Sequence, residues 1–125
     1  SVVRLVAYGR AGFVAVSPRA MPYWQPDFRD PSRIQTPQPV PLLVIVKLAS
    51  DSRSLPKGVA AALLRSLYAV FADHCADEHL RPLCDHTLAA LEKWPDDEVP
   101  LLPLPAALDD DAAVLELKHE QRGKA

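Results

Sequence analysis

A cluster of histidines and cysteines lies between residues 74 and 86, where three of the four histidines and both cysteines of the chain occur. Cys75 and His79 are four residues apart, so on a helix they would share one face. Cys84 and His86 follow Pro82 and would complete a set of two thiolates and two imidazoles, which zinc binds as a tetrahedron. The sequence therefore offers a zinc-type site formed by Cys75, His79, Cys84 and His86.

A structural role for the same residues is the competing interpretation, and it is the one we favour. The spacing matches no established zinc pattern, and both cysteines fall on apolar helical stripes, where free cysteine is usually buried as a small hydrophobe. A Cys75–Cys84 disulfide is a third possibility, expected only in an oxidising compartment. We therefore expect no cofactor, with zinc as the alternative.

A second group of residues suited to binding lies in segment 19–33, where aromatic side chains occur among arginines. Aromatic rings and guanidinium groups stack on flat groups and anchor partners in protein interfaces. The predicted partner-binding residues are Arg19, Tyr23, Trp24, Phe28, Arg29 and Arg33. The rings have a second possible use, which is to fold back over one face of a sheet. The two uses are compatible if the arginines point outward.

Signatures of common enzyme classes do not occur: the sequence contains no GxSxG, GxxxxGK, GxGxxG or HExxH motif. His79 is placed to activate Cys75, but the apolar stripe around Cys75 indicates an inert thiol. An isoelectric point of about 6.0 does not favour nucleic-acid binding, which usually requires a basic domain. A small enzyme of an unrecognised class is therefore a second alternative, and we expect no nucleic-acid partner.

Charge is distributed unevenly along the chain, whose formal net charge is −2. Residues 1–65 hold nine basic and three acidic side chains, whereas residues 66–125 hold five basic and 13 acidic ones. Two halves that pack together would neutralise each other, which is the simplest explanation. An exposed polar surface for a partner is the alternative.

Three segments favour extended structure. Residues 2–8 are rich in β-branched side chains and predict a strand, and a turn at 9–12 would return the chain into a second strand at 13–16, forming a hairpin. The nearly continuous apolar run at 42–48 predicts a strand at the centre of the sheet. Between them, segment 17–41 contains seven of the 13 prolines, which predicts a long, stiff loop without helix or central strand.

The second half of the chain favours helices. Apolar stripes predict a helix over 55–80 and another over 82–94, with Pro82 at the boundary. Residues 95–108 are again proline-rich and are expected to be extended. A short last helix is expected over 110–121, after three consecutive aspartates that suit a helix start.

Together these patterns predict a single α+β domain over residues 1–125, with a small, mainly antiparallel sheet and two to three helices packed on one face. We expect a non-enzymatic protein-interaction or assembly module, of the adaptor, accessory-subunit or immunity-protein kind. Its partner would be another protein or a second copy of the chain, bound through the proline-rich loop. No signal-peptide pattern and no run near the ~20 apolar residues of a membrane span occurs, so we expect a cytoplasmic protein.

Overall fold

The computed structural model describes residues 2–105, and these form an α+β fold with two antiparallel sheets, as the sequence predicts. Within that range the helices are α1 (Val2–Arg10), α2 (Lys57–Val70) and α3 (Asp77–Lys93), with a 3-10 turn at Pro31–Arg33. The strands are β1 (Val14–Val16), β2 (Tyr23–Gln25), β3 (Val40–Leu42), β4 (Ile45–Val46), β5 (Ser54–Pro56) and β6 (Glu98–Pro103). The predicted helix at 110–121 lies outside the described residues. No helix within 2–105 is long and apolar enough to cross a membrane.

The larger sheet has the strand order β4-β1-β6-β5, and all of its pairings are antiparallel. Side chains alternate between the two faces of a strand, so the central strands of this sheet contribute side chains to two apolar layers. Val16 and Val99 lie in the main core against α2 and α3, whereas Ala15 and Leu104 form a second cluster on the opposite face. Leu5 of α1 packs against this second cluster. The second face is therefore covered in part by α1.

The strand predicted at 2–8, and with it the hairpin, is wrong, because these residues form α1. Helical spacing places Leu5 and Gly9 on one side, toward the end of β6. A Cβ on Gly9 would lie 2.7 Å from the carbonyl oxygen of Pro105, so the absent side chain permits a close approach of two backbones. Burial of this face outweighs the modest strand preference of the valines. The neighbouring strand predicted at 13–16 is confirmed as β1.

The single central strand predicted at 42–48 is also wrong. Leu42 ends β3 in the two-stranded sheet, and only Ile45–Val46 forms a strand of the larger sheet, at its edge. The run is divided because the chain passes from one sheet to the other at Leu43 and Val44. The carbonyl oxygen of Val44 accepts a hydrogen bond from the N–H of Val16 at 2.8 Å, which starts the pairing with β1.

Both proline-rich segments contain strands that were not predicted from the sequence. β2 and β3 pair within segment 17–41, and β6 occupies the centre of the larger sheet within 95–108. Proline is excluded from a strand only where its missing N–H is required. Pro100 lies opposite Ser17, whose carbonyl is bonded to Met21, and Pro41 lies opposite Trp24, whose N–H and carbonyl are bonded to Tyr68. Neither proline therefore has to donate an N–H to its neighbour.

The predicted helix boundaries at 55–80 and 82–94 are wrong, although two helices are present. The chain turns at Phe71–Ala76, and α3 begins at Asp77 and contains Pro82. A proline this close to a helix start removes one bond, to the carbonyl of Glu78 in the exposed first turn, which limits its cost. The end of α3 is tied to β6, because the Trp94 indole donates to the carbonyl oxygen of Glu98 at 3.0 Å.

Candidate interaction surface

The ribbon, which we define as β2, β3 and the connecting residues 26–39, is held against α2 through Tyr68. The Tyr68 hydroxyl donates to the carbonyl oxygen of Trp24 at 2.7 Å, and the N–H of Trp24 donates to the same hydroxyl at 3.4 Å. The ring of Tyr23 packs on that of Tyr68 with centroids 5.4 Å apart. Burial raises the pKa of Tyr68 to about 12, so the hydroxyl keeps its proton and remains a donor. One buried side chain therefore anchors the first strand of the ribbon.

A second anchor comes from α3. Thr87 is fully buried, and its hydroxyl donates to the carbonyl oxygen of Pro22, immediately before β2. Threonine in a helix often bonds to its own helix, but here the hydroxyl serves a distant segment of the chain. Thus α2, through Tyr68, and α3, through Thr87, both fix the position of β2.

The connection between β2 and β3 is closed by the carboxylate of Asp27. It accepts hydrogen bonds from the N–H groups of Arg29 and Gln38, and it forms an ion pair with the Arg29 guanidinium, whose Nη2 lies 2.6 Å from Oδ2. Arg29 also donates to the carbonyl oxygen of Thr36 at 3.3 Å. These bonds, the Arg29 side chain first, hold the pKa of Asp27 well below its usual range. The two ends of the connection are therefore joined at one charged side chain.

The ribbon carries three large apolar side chains that are partly accessible, at positions 28, 40 and 42. Phe28 is 43% exposed and meets the edge of Phe71 with ring centroids 5.1 Å apart. Val40 and Leu42 are 49% and 38% exposed, and as alternate residues of β3 they share one face. Apolar surface residues that lie together on one segment are candidates for a contact with a partner.

The six predicted partner-binding residues are divided between the core and the surface. Tyr23 is buried in the core and Trp24 is half-buried, whereas Arg19, Phe28, Arg29 and Arg33 are exposed. Arg29 forms an ion pair with Asp27, and this pair closes the connection between β2 and β3. Tyr23 therefore folds into the core, whereas Phe28 stays at the surface, where partner binding remains a prediction.

Val40 and Leu42 were missed because the density of prolines concealed the strand. Their signal in the sequence is the apolar residue on either side of Pro41, which has the two-residue period of a strand. Leu42 also lines an apolar groove of about 300 Å³ between the ribbon and α1, together with Tyr8 and Leu5. The exposed apolar surface thus continues from the ribbon onto the first helix.

The four predicted metal ligands are not brought into one site within residues 2–105, where no group of three or more histidine, cysteine or acidic side chains is placed to hold a metal ion. Cys75 lies in the turn before α3, with its Sγ 3.8 Å from the carbonyl oxygen of Asp27. Cys84 and His86 are two residues apart on α3, so they point to different sides of the helix. The Nε2 of His79 instead lies 3.7 Å from the Oε1 of Glu78. Zinc binding stays a prediction, without a supporting geometry in this part of the chain.

Both cysteines are unbridged and partly buried, and each packs against the main core. Burial raises the pKa of the Cys75 and Cys84 thiols, so both favour the protonated form. A protonated thiol is a poor nucleophile, which gives no support to cysteine catalysis at either position.

Comparisons of the chain with protein-family models, with curated proteins and with solved structures give no significant match.

Proposed function

We propose that the protein is a non-enzymatic interaction module that binds a protein partner through the exposed side of the ribbon. The observation that carries the proposal is the combination of firm anchoring and apolar exposure in one segment. Tyr68, Thr87 and Asp27 hold the backbone in place, while Phe28, Val40 and Leu42 remain accessible. A surface that is already ordered loses less conformational entropy on binding, which favours affinity.

The chemistry of the ribbon defines the kind of partner. Apolar side chains at 28, 40 and 42 suit an apolar patch, and the exposed Arg33 suits an acidic group at its edge. Strand addition to β3 is not favoured, because Pro41 has no N–H to donate at the outer edge. We therefore propose that contact is made by side chains, with another protein or with a second copy of this chain.

We place the protein in the cytoplasm as part of this proposal. Two unbridged thiols, Cys75 and Cys84, are compatible with a reducing compartment.

Serine substitutions at matched positions test the proposal. Phe28→Ser and Val40→Ser remove apolar contacts from the ribbon, whereas Val59→Ser is the control, because Val59 on α2 is 50% exposed and Val40 is 49% exposed. Affinity enrichment from cells that produce the protein, quantified for each variant, reports a foreign partner. Sedimentation velocity over a range of concentrations reports a second copy.

We expect binding of one partner to fall by about tenfold in each ribbon variant and to stay unchanged in Val59→Ser, as for side chains at the centre of an interface. Thermal unfolding confirms that the variants are folded. A monomeric chain whose co-purifying proteins are retained equally by all variants would overturn the proposal.

A further inference from the structure

A cleft that is separate from the ribbon lies where segment 47–53 connects β4 to β5. These two strands are the opposite edges of the larger sheet, so the segment must cross the two central strands, β1 and β6. Between the crossing segment and the sheet lies a cleft of about 650 Å³. This volume falls within the range of about 300–1,000 Å³ that is usual for small-molecule sites.

The floor of the cleft is apolar. It is formed by Val14 of β1 and by Leu101 and Pro103 of β6. Leu101 is fixed in place, because its N–H donates to the carbonyl oxygen of Arg53 at 2.9 Å. An apolar floor on sheet strands provides a rigid surface for the hydrocarbon part of a ligand.

The walls of the cleft carry two cations, Lys47 and Arg53. Neither forms an ion pair with a carboxylate within residues 2–105, where the pairs found are Asp27–Arg29, Glu78–His79 and Asp77–Arg81. The stem of Lys47 lies over the turn at Gly12, whose Cβ, if present, would be 3.5 Å from the lysine Cε. Both side chains are exposed at the same cleft, and ionised donors of this kind form strong hydrogen bonds to anionic groups.

The remaining polar groups restrict the charge of the ligand. Asp51 contributes one carboxylate to the wall, and the hydroxyls of Ser50 and Ser52 lie 2.9 Å apart and bond to each other. Two cations and one carboxylate leave a single net positive charge. A singly charged head group is therefore matched better than a doubly charged one.

We propose that this cleft binds a small organic carboxylate, with its hydrocarbon body on the Val14–Leu101 floor and its carboxylate against Lys47 and Arg53. The planar guanidinium of Arg53 suits two parallel hydrogen bonds to a carboxylate. The ribbon does not take part in this site, so the proposal is independent of the protein-binding function.

Titration with 2-naphthoate, followed by amide resonances in ¹⁵N-correlated spectra, tests the site. We expect saturable shifts at Gly12, Leu48 and Ser50, which border the cleft. The neutral analogue 2-naphthamide should bind at least about tenfold more weakly, because it lacks the charge. 2-Naphthyl phosphate, which is doubly charged, should bind no more tightly than the carboxylate.

Three variants complete the experiment. Lys47→Gln and Arg53→Gln should each weaken 2-naphthoate binding by about tenfold, whereas Arg33→Gln, an exposed arginine of the ribbon, should leave it unchanged. The spectra themselves show whether each variant is folded. Shifts that do not saturate, shifts confined to other residues, equal binding of the amide, or tighter binding of the phosphate would overturn the proposal.

Discussion

The ribbon and β6 are both proline-rich, yet one is exposed at the surface and the other runs through the centre of the sheet. The three residues of β3 are all exposed, whereas Val99 and Leu101 of β6 are buried in the main core. Proline content therefore does not separate surface from core in this protein. What differs is the apolar pattern around the prolines, since β6 supplies both faces of the sheet with alternating large side chains.

The two regions tolerate proline for the same reason. The carbonyl of Pro100 accepts a hydrogen bond from the N–H of Ser17 at 2.9 Å, while the carbonyl of Ser17 is already bonded to the N–H of Met21. No donor is therefore required at Pro100. In the ribbon, Pro41 lies opposite Trp24, whose N–H and carbonyl are directed to Tyr68. A strand can thus contain proline wherever its neighbour is bonded elsewhere.

Removal of a large side chain from each region provides the strongest test of this comparison. Leu101→Ala should lower the free energy of unfolding by about 2–5 kcal/mol, because it leaves a cavity in the core. Leu42→Ala should lower it by less than about 1 kcal/mol, because the side chain is already 38% exposed. Chemical denaturation measures both values. Equal losses would show that the ribbon contributes to the core as much as β6 does.

A glycine pair tests the close packing of α1 at the end of β6. Gly9→Ala should destabilise the protein by about 1–3 kcal/mol, because the new Cβ would lie 2.7 Å from the Pro105 carbonyl oxygen and 3.1 Å from the Leu104 Cβ. Gly58→Ala in α2 is the control and should stabilise by up to about 1 kcal/mol, since nothing lies within 4 Å. Thermal unfolding reports both shifts. A neutral Gly9→Ala would contradict the packing of α1 on this segment.

The anchor of the ribbon is tested by Tyr68→Phe, which keeps the ring and removes the hydroxyl. We expect a loss of about 1 kcal/mol, because the Trp24 carbonyl loses its hydrogen bond in a partly buried position. Amide hydrogen exchange should increase in β2 and β3 and stay unchanged in β6. An increase spread over both regions would show that the ribbon and the central strand unfold as one unit.

The smallest expected effect concerns Asp27, whose ion-pair partner Arg29 is half exposed. The pKa of Asp27 in the folded protein is held below its unfolded value, so its contribution to stability is present above about pH 4 and is lost as the pH falls further. Asp27→Asn should therefore lower the denaturation midpoint at neutral pH, and the difference from the unmodified protein should shrink below about pH 4. Asp73→Asn, at an exposed position, is the control, and a pH-independent difference would contradict the role of the Asp27 charge.

Part of this fold was predictable from local patterns. The strand at 13–16 was predicted from the turn that precedes it, and the two helices in the second half were predicted from apolar periodicity; together they gave the α+β class. Phe28 and Arg33 were predicted to bind a partner from composition and spacing; they are exposed in the structure, and partner binding itself stays a prediction. The strands in the proline-rich segments were not predicted. A strand tolerates proline when the residue opposite it does not need the missing N–H, and that depends on bonds to distant parts of the chain.

The sequence by itself determined which residues are apolar, which segments have helical or strand periodicity, and where prolines restrict the backbone. Only the tertiary structure decided that 2–8 is a helix, that 98–103 is central, and that Tyr23 is buried while Phe28 is not. These outcomes depend on contacts between residues distant in the chain, such as Gly9 with Pro105 and Trp24 with Tyr68. Local preferences are worth about 1 kcal/mol or less per residue, and burial against a distant partner exceeds them.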